Sequence, residues 1–320
     1  HRPRGYPVGR PHAGGTLECV TGQLHCLSSL RAAGYSYDDV RVLLRGGSLT
    51  PVRRGAYLSG RWPDDLLARH RLAVRAAVRE LGADAVVSHA SAAVLHGLPI
   101  WLIPLDRVHV TKNRSSGGRR APRVHVHVAA LSPADVVDNA GIRVTSVART
   151  IVDVARSVSF EKGVVVADAA LSRGLVDGSD LADSLHRMRR RGGVPLARRV
   201  IAFADARSES VGESRSRVAI ARAGLPPPTL QWEVRDEYGR LIGRVDFGWP
   251  EQRVIGEFDG RMKYGRQPDP DATEGEAVYR EKRREDELRA ERLAVVRWGW
   301  EDLDGFEAVA RRLRRGMEGA

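Results

Sequence analysis

The chain has 320 residues, 42% hydrophobic and 29% charged, with 52 basic against 40 acidic side chains and a formal net charge of +12. That length accommodates two or three domains with cores of their own. No run approaches the roughly eighteen consecutive apolar residues of a membrane span, so no membrane partner is expected. Cys19 and Cys26 are too few for a disulfide scaffold and poorly spaced for zinc, so reduced thiols and a cytoplasmic location are expected. Residues 1–204 hold 30 basic and 16 acidic side chains, whereas 205–320 hold 22 and 24. A basic module joined to a near-neutral one fits a division in which the first holds a polyanion and the second acts on it.

His1–Gly15 is rich in Arg, Pro and Gly without an apolar run, and is expected to be a disordered basic tail. Residues 16–60 predict a small helical unit followed by a hairpin. Leu24, Leu27, Leu30 and Ala33 recur at three-residue steps, a helical stripe that Gly34 stops. Ser36, with Asp39 three residues on, opens a second helix through Val40–Arg45, and Gly46-Gly47 ends it. Leu49–Val52 and Ala56–Leu58 read as strands around Arg53-Arg54-Gly55. This order predicts a winged helix-turn-helix whose second helix enters the major groove. Tyr37, Arg41 and Arg45 would then face DNA, and Arg53 and Arg54 at the wing tip would meet phosphate or minor groove. A helical pair used for protein contacts is the alternative.

The middle region, residues 61–204, predicts an α/β domain with little chemistry of its own. Leu66–Leu81 is an amphipathic helix and Ser88 caps another that ends at Gly97-Leu98-Pro99. Arg107–Thr111 and Val124–Val128 read as strands separated by Asn113–Arg123, a small-residue loop with four arginines. Within it, Arg119 and Arg120 are candidate phosphate contacts. His125 and His127 share a strand face, but no third ligand is evident, and a polar sheet face is the plainer reading. Thr145-Ser146 starts the helix Val147–Arg156, and helices near 160–173, 180–190 and 195–204 follow. Arg189–Gly193 is the expected joint.

The region 205–320 carries the most informative pattern. Ser210 caps a helix with Glu213 at capping-box spacing. Leu230–Arg235 and Leu241–Asp246 read as strands. The segment Gly243–Gly260 reads as two strands about Trp249-Pro250-Glu251-Gln252, with Asp246 on the first and Glu257 and Asp259 on the second, two residues apart on one face. Acids at strand ends are often solvated or paired with arginine. Three together repel one another unless a hard cation binds, and Mg²⁺ accepts a few carboxylates plus water and phosphate oxygens. Beyond them, a charged helix over Glu281–Arg292, a strand over Leu293–Trp298 and a helix over Phe306–Arg315 are predicted.

Glu213, Asp246 and Glu257-Phe258-Asp259-Gly260 followed by Lys263, with Arg283–Arg289 and Val295–Trp298, give roughly residues 208–315 a resemblance to the PD-(D/E)XK nuclease superfamily. The similar branch is that of very-short-patch-repair endonucleases. The resemblance implies a restriction-endonuclease-like mixed sheet flanked by helices. It also implies a Mg²⁺ or Mn²⁺ ion held by Asp246 and Glu257, with Glu213 and Asp259 as further ligands or water-orienting groups. Asp259 stands where the superfamily has its lysine. Lys263, one of only four lysines in the chain, either replaces that lysine or the branch histidine, or contacts phosphate, or is a surface residue. The N-terminal and middle regions resemble AbiEi-type antitoxin proteins. The matching residues are Leu30–Gly34, Leu43–Gly47, Val52–Tyr57, Ser88–Gly97 and Val144–Asp153. This resemblance implies a DNA-binding winged helix followed by an α/β domain.

The expected molecule is therefore an α/β multidomain protein: winged helix-turn-helix, α/β middle domain and nuclease-like domain. The expected function is a metal-dependent DNA endonuclease in repair or phage defence, with DNA and either a partner protein or a second copy of the chain as partners. An antitoxin-like regulator whose nuclease fold no longer cuts, and a pure interaction scaffold, stand as alternatives.

Overall fold

The computed structural model describes residues 22–260 and 291–319, and shows a mixed α/β chain with three sheets. The contacts divide it into two compact units. Unit 1 comprises the residues up to His96 together with Pro104–Ser146, and unit 2 comprises Gly97–Ile103 together with the residues from Val147 onward. Among the described residues no helix is long and apolar enough to cross a membrane.

Unit 1 begins with strand β1 (Leu24–Cys26), helices α1 (Leu27–Ala32) and α2 (Tyr37–Arg45), and strands β2 (Leu49–Arg53) and β3 (Ala56–Ser59). The strands form an antiparallel sheet in the order β1-β3-β2. Leu24 lies in this sheet and not in the helical stripe, because the Cys26 sulfur accepts the Ser29 amide and starts α1 at Leu27. The Ser36–Asp39 capping box forms in both directions, at 3.1 and 2.7 Å, and starts α2 at Tyr37. Leu30, Val40 and Leu49 close the small core.

Helix α3 (Leu66–Leu81), capped by Asp65, leads into a six-stranded sheet. Its strands are β4 (Ala85–Val87), β5 (Val108–Lys112), β6 (Arg119–Arg120), β7 (Val124–Val128), β8 (Val136–Asn139) and β9 (Ile142–Thr145), with α4 (His89–Leu95) after β4. The order is β6-β7-β5-β4-β9-β8. Period-2 alternation sends Val108, Val110, Val124 and Val87 into a core with Val74 and Ala77, and sends His109, Thr111, His125 and His127 to the other face.

Unit 2 has helices α5 (Val147–Ala155), α6 (Phe160–Ser172), α7 (Gly178–Arg187), α8 (Val194–Phe203) and α9 (Val211–Arg222). A four-stranded sheet follows: β10 (Thr229–Arg235), β11 (Leu241–Trp249), β12 (Val254–Phe258) and β13 (Ala294–Trp298), with α10 (Glu307–Glu318) last. The strand order is sequential, antiparallel throughout except for the parallel β12–β13 pair.

The compact units divide at Ser146/Val147, whereas the sequence reading put a boundary at 204/205. The reason is ionic. Arg217 of α9 reaches Asp168 of α6 at 2.6 Å, and Arg215 reaches Glu161 at 2.8 Å. These buried pairs join the helices to the sheet domain, and the expected joint at Arg189–Gly193 becomes the α7–α8 turn. The helix expected over Glu281–Arg292 lies, but for its last two residues, outside the described residues. The unit's core centres on Phe247, Trp249, Trp298, Phe306 and Leu313.

Candidate functional site

The carboxylates of unit 2 are positioned by the β11–β12 hairpin. The ladder runs Trp249↔Val254, Gly248↔Ile255, Phe247↔Gly256 and stops there. Asp246 is the next residue on β11. Its carboxylate accepts the Phe258 amide at 2.9 Å, which holds it against the end of β12. Glu257, one residue along β12 from Gly256, is half-buried and pairs with Arg297 of β13 at 2.8 Å. Asp259 is exposed just past the strand, and its amide donates to the Trp298 carbonyl at 2.8 Å.

Glu213 approaches from α9. Ser210 caps that helix by accepting the Glu213 amide at 3.1 Å. The Glu213 carboxylate does not close the expected box, since it accepts the Glu209 amide and the Gln231 side-chain amide, both at 2.9 Å. Gln231 was not singled out from sequence. It lies on β10 between Leu230, paired with Phe247, and Trp232, paired with Val245, which sets it beside Asp246. Its φ of 52° is in the left-handed region, a conformation that costs a non-glycine residue energy and often accompanies a functional position. Gly212 completes the arrangement: a Cβ there would meet the Phe258 ring at 1.9 Å, so only glycine lets α9 approach the strand end that carries Glu257. Lys263 lies outside the described residues.

The expected trio of Asp246, Glu257 and Asp259 lies on β11, on β12 and just past β12. Among the described residues, the group of three or more potential ligands whose atoms converge within 4.8 Å is a histidine group, not an acidic one. Glu257 pairs with Arg297, and Asp259 is exposed just past β12. Asp246 and Glu257 are oxygen donors on adjacent strands, each one residue beyond the Phe247↔Gly256 pair, and Gln231 of β10, across from Asp246, bonds Glu213. That fits Mg²⁺, which is commonly held by one or two carboxylates plus waters and substrate phosphate.

The basic positions of unit 1 separate into two kinds. Tyr37 is 62% exposed with the Arg31 guanidinium 4.8 Å above its ring. Arg41 and Arg45 are exposed on α2, and Arg41 forms a solvent-exposed pair with Asp38, of the kind worth little. Arg54 is exposed at the β2–β3 turn. Arg53 differs: its side chain is 16% exposed and bonded to Glu80 at 2.8 Å. It braces the hairpin to α3 and does not present a cation at the tip. Arg119 and Arg120 are exposed, not in an open loop as expected but on edge strand β6, opposite Val126 and His125.

Unit 1 also gathers histidines that sequence reasoning left as a pair. Strands β5 and β7 are parallel, with His109 opposite His125 and Thr111 opposite His127. His109 Nδ1 lies 3.0 Å from His127 Nε2. His89, at the start of α4, stacks on His127 with ring centroids 3.8 Å apart. Burial, then the neighbouring His125, pulls the His109 pKa down to about 4. A signal was present: Val108-His109-Val110 repeats the pattern of Val124-His125-Val126-His127-Val128. Two such strands side by side put every histidine on one face.

No protein-family model matches the chain. Two proteins from Mycobacterium tuberculosis strains, uncharacterized proteins MT2308 and Rv2248, are each 30% identical to it over 222 residues, covering 69% of this chain and 78% of their own. The chain belongs to their family. Their names assign no activity, so the functional reading rests on the residues described above.

Proposed function

We propose that the protein is a cytoplasmic DNA-binding protein with a Mg²⁺-dependent endonuclease domain. The observation that carries this reading is the placement of Asp246 and Glu257 on adjacent strands, each one residue beyond the last paired position Phe247↔Gly256, with the strained Gln231 of β10 across from Asp246 and bonded to Glu213. Asp246 and Glu257 would hold the ion, which when bound lowers the pKa of a water and stabilises charge on a phosphate. The chain's own residues do the rest. The Phe258 amide orients the Asp246 carboxylate, Gln231 fixes Glu213 where it can orient water, and Arg297 holds the Glu257 carboxylate in place. Lys263 is proposed only as a side chain that follows the acidic strand in sequence.

Binding is proposed to lie with a winged-helix unit. Tyr37, Arg41 and Arg45 of α2 face the major groove, Arg54 meets phosphate, and Arg119 and Arg120 extend the basic surface. Arg45→Ala should weaken duplex binding across sequences and reduce the salt slope by about one unit.

A second reading is favoured by one contact. The Arg297 guanidinium already neutralises Glu257 at 2.8 Å, as a regulator whose nuclease fold no longer cuts would have it. Incubation of the chain with duplex, nicked, mismatched and single-stranded DNA, in Mg²⁺, in Mn²⁺ and in EDTA, separates the two. Cleavage that needs the ion supports the nuclease. Retained salt-sensitive binding with no cleavage of any substrate supports the regulator.

A further inference from the structure

We propose that His89, His109 and His127 form a binding site for a late first-row divalent cation of the zinc class in unit 1. The site is separate from the carboxylates and does not rest on the nuclease reading. Three observations converge. First, each of the three histidines offers one ring nitrogen, and these nitrogens all lie within 4.8 Å of one another. Three nitrogens on a tetrahedral ion at roughly 2.0–2.1 Å stand about 3.3 Å apart, so side-chain shifts of about an ångström close the site. The His109 Nδ1 to His127 Nε2 distance is already 3.0 Å.

Second, the ligands come from three separate pieces of backbone held in fixed register. His109 is on β5 and His127 on β7, two parallel neighbours. His89 follows β4, where the Ser88 amide donates to the His109 carbonyl at 3.0 Å. A site built across sheet neighbours is held more firmly than one on loops.

Third, His89 is both strained and oriented. It is 2% exposed and has φ of 52°, a left-handed conformation that the surrounding structure must impose. Its Nδ1 lies 3.0 Å from the Ser88 hydroxyl, which in turn accepts the Thr111 hydroxyl at 2.8 Å. Such an outer hydrogen bond on one ring nitrogen fixes which nitrogen a histidine turns to a metal, here Nε2.

The donor set names the class of ion. Imidazole nitrogen suits Zn²⁺, Cu²⁺, Ni²⁺ and Fe²⁺, and suits Mg²⁺ and Ca²⁺ poorly. Three protein nitrogens leave a fourth position for water or for a donor atom of a bound molecule, as in zinc centres that exchange a ligand. His125 lies beyond His127, its ring 3.8 Å from that of His127, and falls outside the converging group.

The test uses the full chain, stripped with EDTA and dialysed, and titrated with ZnCl₂ by calorimetry in excess Mg²⁺ to occupy any oxygen-donor site. One equivalent should bind. His109→Gln and His127→Gln should each weaken binding by at least about a hundredfold, the upper range for loss of a supporting residue around a metal. His125→Gln should change it by less than about threefold. X-ray absorption of the wild-type chain loaded with one equivalent gives a check that needs no variant. The expected first shell is nitrogen at about 2.0–2.1 Å with imidazole scattering behind it. No stoichiometric binding, binding unchanged in both variants, or a first shell of sulfur or of oxygen alone overturns the site.

Discussion

The two units concentrate their polar chemistry in opposite ways. In unit 2 the carboxylates of β11, β12 and α9 are each held by a donor from another segment: Asp246 by the Phe258 amide, Glu257 by Arg297, Glu213 by Gln231. In unit 1 the sheet face carries imidazoles that touch one another. Hard oxygen donors with room for water suit Mg²⁺ and phosphate, whereas neutral nitrogens suit zinc-class ions. Both places contain a non-glycine residue in the left-handed region with the same φ of 52°, His89 in one and Gln231 in the other. Under the proposals above, the different donors suit different ligands.

The largest expected effect concerns what holds the carboxylate site in place. Trp298 is buried, lies 5.3 Å from Phe247 and edge-on to Phe306, and donates to Ser216 at 2.8 Å. Trp298→Ala should cost about 3–5 kcal/mol, measured by chemical denaturation. A loss below about 1 kcal/mol would mean that the sheet does not depend on this core.

Gly212→Ala drives a methyl into the Phe258 ring. It should cost about 1–3 kcal/mol and should lower cleavage more than DNA affinity, because Phe258 carries the amide that holds Asp246. A variant that is stable and fully active would show that the close approach of α9 is incidental.

Gln231 separates strain from bonding. Gln231→Ala keeps the left-handed backbone and loses the Glu213 bond, with an expected cost of about 1 kcal/mol. Gln231→Gly loses the same bond but accepts the backbone without a Cβ clash, and should recover most of that cost. Cleavage should fall in both, since Glu213 is released in both. Equal stability of the two variants would place no strain at this position.

The smallest effect sharpens the contrast from the other side. Burial lowers the pKa values of His70 and His96 in unit 1, so the fold holds their protons less tightly than the unfolded chain does. The unfolded chain takes up protons below the ordinary value of 6.5. Their contribution to stability is therefore intact above about pH 6.5 and is lost progressively as pH falls toward the lowered folded values. His70→Gln should flatten the loss seen by denaturation between about pH 7 and pH 5. An unchanged slope would remove His70 from the account.

The two places were unequally legible in the sequence. Asp246 and Glu257 sit on one hairpin, so a strand-turn-strand reading was enough to pair them. The helix bearing Glu213 was legible from its cap. Gln231 was hidden because its importance comes from the Glu213 bond and a backbone angle, neither of which has a local sequence signature. His89, His109 and His127 come together through a parallel β5–β7 pair and a strand–helix corner, and such non-local pairings leave only the repeated valine–histidine alternation as a trace. Arg53 read as a wing-tip cation, but Glu80, distant in sequence, takes its charge. Leu24 read as helical until the Cys26 cap placed the start of α1 after it.

The most direct test of the account compares Asp246→Asn with the wild-type chain on the best-cut DNA substrate in Mg²⁺, with cleavage rate and DNA affinity measured side by side. The account predicts a rate loss on the order of a hundredfold or more, because the ion is lost with its activated water. Affinity should stay within about threefold, because the proposed phosphate contacts belong to the basic surface of unit 1. Wild-type cleavage by Asp246→Asn, or a collapse of binding that accounts for the whole rate loss, would contradict it.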